Sequence, residues 1–141
     1  MIKIDHEHIV IGVGGIGSAT LYHLAQRGAD VLGIDQFPAG HDKGSSHGDS
    51  RLIRLVYFEH PDYVPLIHSA FTLWRELEQA SGDALLQMTG LLQAGPEGGD
   101  VIDGLLRAAS THNLTMERLD AATANDRFPG ISLKPEQTAI F

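Results

Sequence analysis

Three glycines in one short stretch, Gly12, Gly14 and Gly17, stand in the spacing G-x-G-x-x-G, and Asp35 follows 18 residues after the last of them. In such a pattern the first glycine permits a tight strand-to-helix turn. The second lets backbone approach a pyrophosphate, and the third allows helix and strand to pack closely. Val13, Gly15 and Ile16 lie between them and join the candidate cofactor contacts. A pyrophosphate would rest on the helix N-terminus, where free N–H groups and the helix dipole favour an anion. An acid about 20 residues on bonds ribose hydroxyls and repels a 2′-phosphate. Asp35 fills that place with Gln36 beside it, which disfavours NADP. The chemistry is binding of an ADP-containing dinucleotide, and the motif alone does not choose between FAD and NAD.

A second run of reactive residue types is GSSHGDSRLIR, Gly44 to Arg54, followed by Tyr57. A planar guanidinium offers paired hydrogen bonds to a carboxylate, so Arg51 and Arg54 form a local basic spot able to attract a small acid. Read in isolation, both arginines could be solvated charges and His47 an ordinary loop histidine. The remaining histidines (His6, His8, His23, His41, His60, His68 and His112) show no metal-ligand spacing, and no metal site is expected.

These residues need elements to position them. HIVIGV, His8 to Val13, is apolar without alternation and reads as a strand buried on both faces of a parallel sheet. Ser18 to Arg27 reads as a helix packing through Ile16, Ala19, Leu24 and Ala25, stopped by Gly28. Val31 to Ile34 reads as a second strand closed by Asp35. The unit is a βαβ start of Rossmann type. Gln36 to Ser50 is rich in Gly, Pro, Ser and Asp and reads as a loop. Beyond it, Asp62 is placed as a cap for a helix carrying Tyr63, Ile67, Ala70, Trp74 and Leu77, with Phe71 and Trp74 as core, ended near Ser81-Gly82. Leu85 to Gln93 reads as one or two strands and AGPEGG as a loop. A helix from Asp100 to His112 follows, with Ile102, Leu105, Leu106 and Ala109 as its buried stripe. Leu114 to Leu119 reads as a strand, Asp120 as the cap of a short helix, and the final TAIF as the start of another strand. The fold class is α/β: residues 1–82 form the incomplete N-terminal segment of a cofactor domain, and 83–141 begin an α+β substrate domain.

Lys and Arg number 10 against 18 Asp and Glu, a net charge of −8, which argues against nucleic acid or an anionic membrane as partner. Cysteine is absent, so disulfides, thiolate metal sites and a catalytic thiol are excluded. With no leader-like N-terminus and no run of about 20 apolar residues, a cytoplasmic location is expected.

The two motifs together, with YVPLIHSAFTLWRELE at Tyr63 to Glu78 and RFPGISL at Arg127 to Leu133, resemble the monomeric sarcosine oxidase family, which includes N-methyltryptophan and pipecolate oxidases. The resemblance runs along essentially the whole chain. It implies FAD as cofactor and oxidation of the C–N bond of a secondary amino acid, with oxygen as acceptor and peroxide as product. It also implies a monomer, of which this chain corresponds to the N-terminal portion. Ser45, Ser46, His47, Ser50 and Arg51 match positions that line the flavin, and His47 and Arg51 are the candidate catalytic groups. Arg51 would stabilise negative charge on the reduced ring. Arg54, with Tyr57, matches the position that pairs with the substrate carboxylate. The chain departs from the sarcosine and N-methyltryptophan oxidase pattern at Ser46 and at Leu55-Val56, and its Ser-Ser form is similar to the pipecolate branch. Family members commonly attach flavin through a cysteine in the C-terminal half, so the mode of attachment is not written in this chain. The alternatives are an oxidase of primary amino acids, an NAD-dependent dehydrogenase, which would leave GSSHGDSRLIR without a purpose, and a non-catalytic dinucleotide-binding fragment.

Overall fold

The β-branched run ahead of the glycines forms β1 (His8–Ile11), and α1 (Gly15–Gln26) and β2 (Val31–Ile34) complete a βαβ unit. The structure, a computed structural model, describes residues 5–141; the part of the leader reading that concerns residues 1–4 lies outside them. β1 and β2 pair in parallel, with Val10 opposite Gly33 and Ile11 opposite Ile34. Strand alternation splits the side chains into two sets. Val10 and Gly33 turn toward α1: a Cβ on Gly33 would meet Leu21, and Val10 borders Gly17. Ile9, Ile11, Leu32 and Ile34 turn the other way and are exposed. The expectation of burial on both faces is therefore corrected, since one helix covers only one face of a two-stranded sheet. α1 also begins three residues before the expected Ser18. Ile16 stands exposed, and so do Ala19 and Ala25, while Leu21 joins Leu24 in facing the sheet side. Gly28, at φ 77°, ends α1 as expected, its N–H bonded to the Ala25 carbonyl.

The chain divides into two compact units, one ending at Arg51 and the other beginning at Leu52. The second carries α2 (Tyr63–Ser81), β3 (Gln93–Pro96), α3 (Asp100–His112), β4 (Arg118–Asp120), α4 (Ala121–Arg127) and β5 (Gln137–Ile140). Its sheet is antiparallel in the order β3-β5-β4. Pro96, which cannot donate a ladder bond, sits on the edge strand β3. α3 places Asp100 and Asp103 in its first turn, where they complement the dipole, and ends on Asn113 in the left-handed region at φ 52°. Its inner face packs Ile102, Leu105 and Ala108 against Val56, Val64 and Ile140. Burying Ile102 and Leu105 contributes about 1.5–3 kcal/mol each. No helix among the described residues is long and apolar enough to cross a membrane.

Several local expectations change. Asp62 makes no side-chain cap and is already helical at φ −65°, ψ −11°. The first turn is instead closed by the Tyr63 and Val64 N–H groups on the His60 and Pro61 carbonyls. Of the expected stripe Ile67, Ala70 and Leu77 are half-buried, as is Phe71, while Tyr63 and Trp74 are exposed and Val64 takes the buried place at the start of α2. Residues 85–92 are irregular, and the strand starts at Gln93 and runs into what reads as the AGPEGG loop. Leu106 is exposed and Ala108 takes its place in the stripe. β4 begins at Arg118 rather than Leu114. Asp120 does cap α4, accepting the Thr123 N–H at 2.8 Å, and TAIF supplies Thr138 to Ile140 of β5, with Phe141 just beyond it.

The irregular 85–92 segment is held by Glu78, whose Oε1 accepts the N–H groups of Leu85 and Leu86, both at 2.8 Å. The Leu86 N–H, then the Arg75 guanidinium, holds this carboxyl below its ordinary range. A carboxyl depressed in the fold stabilises at neutral pH and loses that contribution as acid titrates it. Glu78→Ala should therefore lower the urea midpoint at pH 7, and the gap to the parent should close below the ordinary carboxylate range; a gap unchanged with pH contradicts this. Gly104 lies so close to Phe58 that a Cβ would stand 2.2 Å from its carbonyl oxygen. Gly104→Ala should cost about 1–3 kcal/mol of overpacking, read by thermal unfolding.

Candidate cofactor and substrate-binding site

The turn after β1 is built by glycine chemistry. Gly12 takes φ 87° and donates its N–H to the Ile34 carbonyl at 2.8 Å, carrying the parallel pairing to the mouth of the turn. At Gly17 a Cβ would lie 1.8 Å from the Gly12 carbonyl oxygen, so α1 approaches the strand end as closely as backbone allows. Gly14, the residue ahead of α1, is different: a Cβ there meets nothing within 4 Å. No side chain caps α1 at Gly14 and no acid stands in its first turn. Ser46 reaches the first residue of α1, its hydroxyl accepting the Gly15 N–H at 3.3 Å.

Asp35, at the end of β2, ties the two strand ends together. Its Oδ2 accepts the Val13 N–H at 2.6 Å and its Oδ1 the Phe37 N–H at 3.0 Å. The Phe37 and Val13 N–H groups hold the carboxyl below its ordinary range, so it is an anion at neutral pH. Two bonds leave free lone pairs on a group with about four acceptor positions. A cavity of about 530 Å³ opens beside these residues, lined by Gly12, Gly14, Asp35, Gln36, Phe37 and His41 among others. A helix start without an acid or side-chain cap at one part and a fixed carboxylate at another suits a pyrophosphate joined to a ribose. Phe37 and His41, with ring centroids 5.0 Å apart, are lining residues that sequence spacing did not single out.

In the same unit, Ser45 is exposed on the loop, and His47 donates Nδ1–H to the Gly44 carbonyl at 2.5 Å. Arg51 donates to the carbonyl of Ser50 at 2.6 Å and lies against Gly48. Among the described residues it has no carboxylate partner.

In the second unit Arg54 is half-buried. Its guanidinium carbon stands 4.1 Å from the Tyr57 ring centroid, and Tyr57 stacks at 5.2 Å on Tyr63. Nη1 donates to Gln93 Oε1 at 3.5 Å, and Nη2 is 3.9 Å from Glu59 Oε1. Gln93 and Glu59 are the members of this constellation absent from the sequence reading. Gln93 is 39 residues away, beyond any local pattern. Val56 is a core residue, 2% exposed, so that departure from the sarcosine oxidase pattern serves packing.

Comparison with known proteins agrees with this geometry. The family model described as FAD dependent oxidoreductase matches residues 7–141. Monomeric sarcosine oxidase of Streptomyces avermitilis is 40% identical over 136 residues, covering 96% of this chain and 35% of that protein. N-methyl-L-tryptophan oxidase of Yersinia pestis is 34% identical over 138 residues, covering 98% of this chain and 37% of that protein. The solved open form of NikD, an unusual amino acid oxidase essential for nikkomycin biosynthesis, superposes with a TM-score of 0.80 at 26% identity, over 96% of this chain and 35% of that one. The chain thus spans about a third of the length of the relatives it matches. The family match over residues 7–141 and this similarity along nearly all its residues place the chain in the FAD-dependent oxidoreductase family.

Proposed function

We propose that this chain supplies the ADP-binding and carboxylate-binding parts of an enzyme that oxidises the C–N bond of a secondary, N-methyl or cyclic, amino acid. The observation that carries the reading is the pairing of the open Gly14 position ahead of α1 with the Asp35 carboxylate around one cavity. Val13, Gly15, Ile16 and Gly17 would offer backbone to the pyrophosphate, Asp35 would accept the ribose hydroxyls, and Gln36 would line the adenosine end. Ser45, Ser46, His47, Ser50 and Arg51 are proposed for the flavin end. FAD bound there would supply a two-electron acceptor, with dioxygen as the final oxidant and peroxide as the product.

The residues of the chain do the binding and charge work around that step. Arg54, backed by the Tyr57 ring, pairs with the substrate carboxylate and fixes which C–H faces the oxidant. The amine loses two electrons and two protons and becomes an imine. Arg51, without a carboxylate to neutralise it, is a cation free to stabilise negative charge on the reduced cofactor. A cytoplasmic monomer, with residues 1–82 grouped around the cofactor and 83–141 around the substrate, completes the reading.

Two experiments test it in the full-length protein. Gly14→Val adds a side chain where the protein has open space, so the apo protein should melt within a few degrees of the parent while FAD affinity, followed by flavin fluorescence, falls at least about tenfold, a loss of about 1.4 kcal/mol. Undiminished affinity overturns the placement of the pyrophosphate. Arg54→Gln should leave the flavin content intact and raise KM for sarcosine or pipecolate about a hundredfold, as expected for removing a charged, paired contact. KM within twofold of the parent overturns the role of Arg54.

A further inference from the structure

We infer that Gln93 is the positioning residue that aims Arg54 at the substrate carboxylate, a role that rests on the reading of Arg54 given above. Gln93 is the first residue of β3 and stands in register with Ile140, which is buried in the core. Its amide is used at both ends. Oε1 accepts from Arg54 Nη1 at 3.5 Å, and Nε2 donates to the Val56 carbonyl at 3.4 Å. That pattern fixes which way the amide points. Flipped, it would set an NH2 against a guanidinium and a carbonyl against a carbonyl, two repulsive pairs in place of two attractive ones.

Gln93 thereby ties a side chain and the main chain of the 54–57 segment to one strand end. The Tyr57 ring at 4.1 Å supports the guanidinium from a face. Together they leave Arg54 little rotational freedom, while the Nη2 edge, 3.9 Å from Glu59, is beyond hydrogen-bond reach of that acid. A carboxylate arriving there meets a guanidinium already oriented, so its binding costs less ordering of a long side chain. The neutrality of the amide matters equally. It accepts one N–H without cancelling the positive charge that recruits the substrate.

The test compares Gln93→Leu, Gln93→Glu and Arg54→Gln in the full-length protein, alone and with each Gln93 change added to Arg54→Gln, and with melting temperature and flavin content followed throughout. Gln93→Leu should raise KM for sarcosine and the Kd of propionate, titrated by flavin absorbance, about tenfold, with kcat within threefold. Gln93→Glu has the same shape but puts a carboxylate against Arg54, so it should raise both further than Gln93→Leu does. In the Arg54→Gln background neither change should add more than twofold, because the coupling runs through the guanidinium. The inference is overturned if Gln93→Leu leaves KM within twofold of the parent, or raises it equally with Arg54 absent. If Gln93→Leu loses its flavin, Gln93→Glu decides by the same criteria. If Arg54→Gln itself leaves KM unchanged, the reading of Arg54 fails first, and that result is distinct from a silent Gln93 beside an essential Arg54.

Discussion

Where α1 leaves the end of β1, the backbone of Gly17 lies so near the Gly12 carbonyl that even a methyl group would stand 1.8 Å from its oxygen. The candidate cofactor cavity depends on that approach. Because α1 is seated against the strand end, its first turn opens directly beside the point where β2 delivers Asp35. The Val13 N–H can then reach the Asp35 carboxylate at 2.6 Å, and the Gly15 N–H the Ser46 hydroxyl at 3.3 Å. A longer separation would break both bonds and with them the spacing between helix start and carboxylate. Glycine serves two unlike purposes within three residues here. At Gly17 it removes bulk the protein has no room for, and at Gly14 it keeps open a space that the protein itself does not fill.

The charges follow the same plan. The chain carries a net charge of −8, yet the groups facing the proposed ligands are not uniformly acidic. The start of α1 has no acid in its first turn, so its positive dipole end is unspent. The single fixed anion, Asp35, sits at the strand end where hydroxyl groups would arrive. Arg51 bonds only to a backbone carbonyl, and Arg54 is held by an amide and an aromatic face rather than a close carboxylate. Asp35 has His41 Nε2 3.6 Å away and Arg54 has Glu59 3.9 Å away, whereas Arg51 has no carboxylate partner among the described residues. The Phe37 and Val13 N–H groups stabilise the Asp35 anion, so this charge supports the fold at neutral pH.

Much of this was legible in the residues. The glycine spacing and Asp35 named the turn and its ligand class, because close backbone approach and left-handed dihedrals restrict the residue choice more than tertiary context can relax it. Helices α2 and α3 were readable as elements from their periodicity, and the Asp120 cap from its position. What failed was governed by packing partners far along the chain. The apolar run of β1 reads as doubly buried, but burial is a property of what covers a strand. Tyr63 and Trp74 look like core by spacing, while Val64 holds the buried place. Residues 85–92 have strand-like composition yet give two N–H groups to the Glu78 side chain seven and eight residues back, a side-chain-to-backbone bond that a reading of apolar periodicity does not register.

The Arg54 constellation makes the same point about function. Strand side chains alternate with a period of two, so a slip of one residue in β3 would present Ala94 where Gln93 stands, and Arg54 would lose its neutral acceptor. The register is pinned at both ends of the strand. Gln93 is paired with Ile140, whose side chain is in the core beside Ile102 and Leu105, and Pro96 closes the ladder opposite Gln137. Gly95, between them, lies against Val101 and Ile102 of α3, where even a Cβ would make only ordinary contact at 3.7 and 3.8 Å. The orientation of one guanidinium is thus set by a hydrophobic face many residues away. A change in the α3 core that shifts β3 would move Gln93 and, through it, the Arg54 guanidinium.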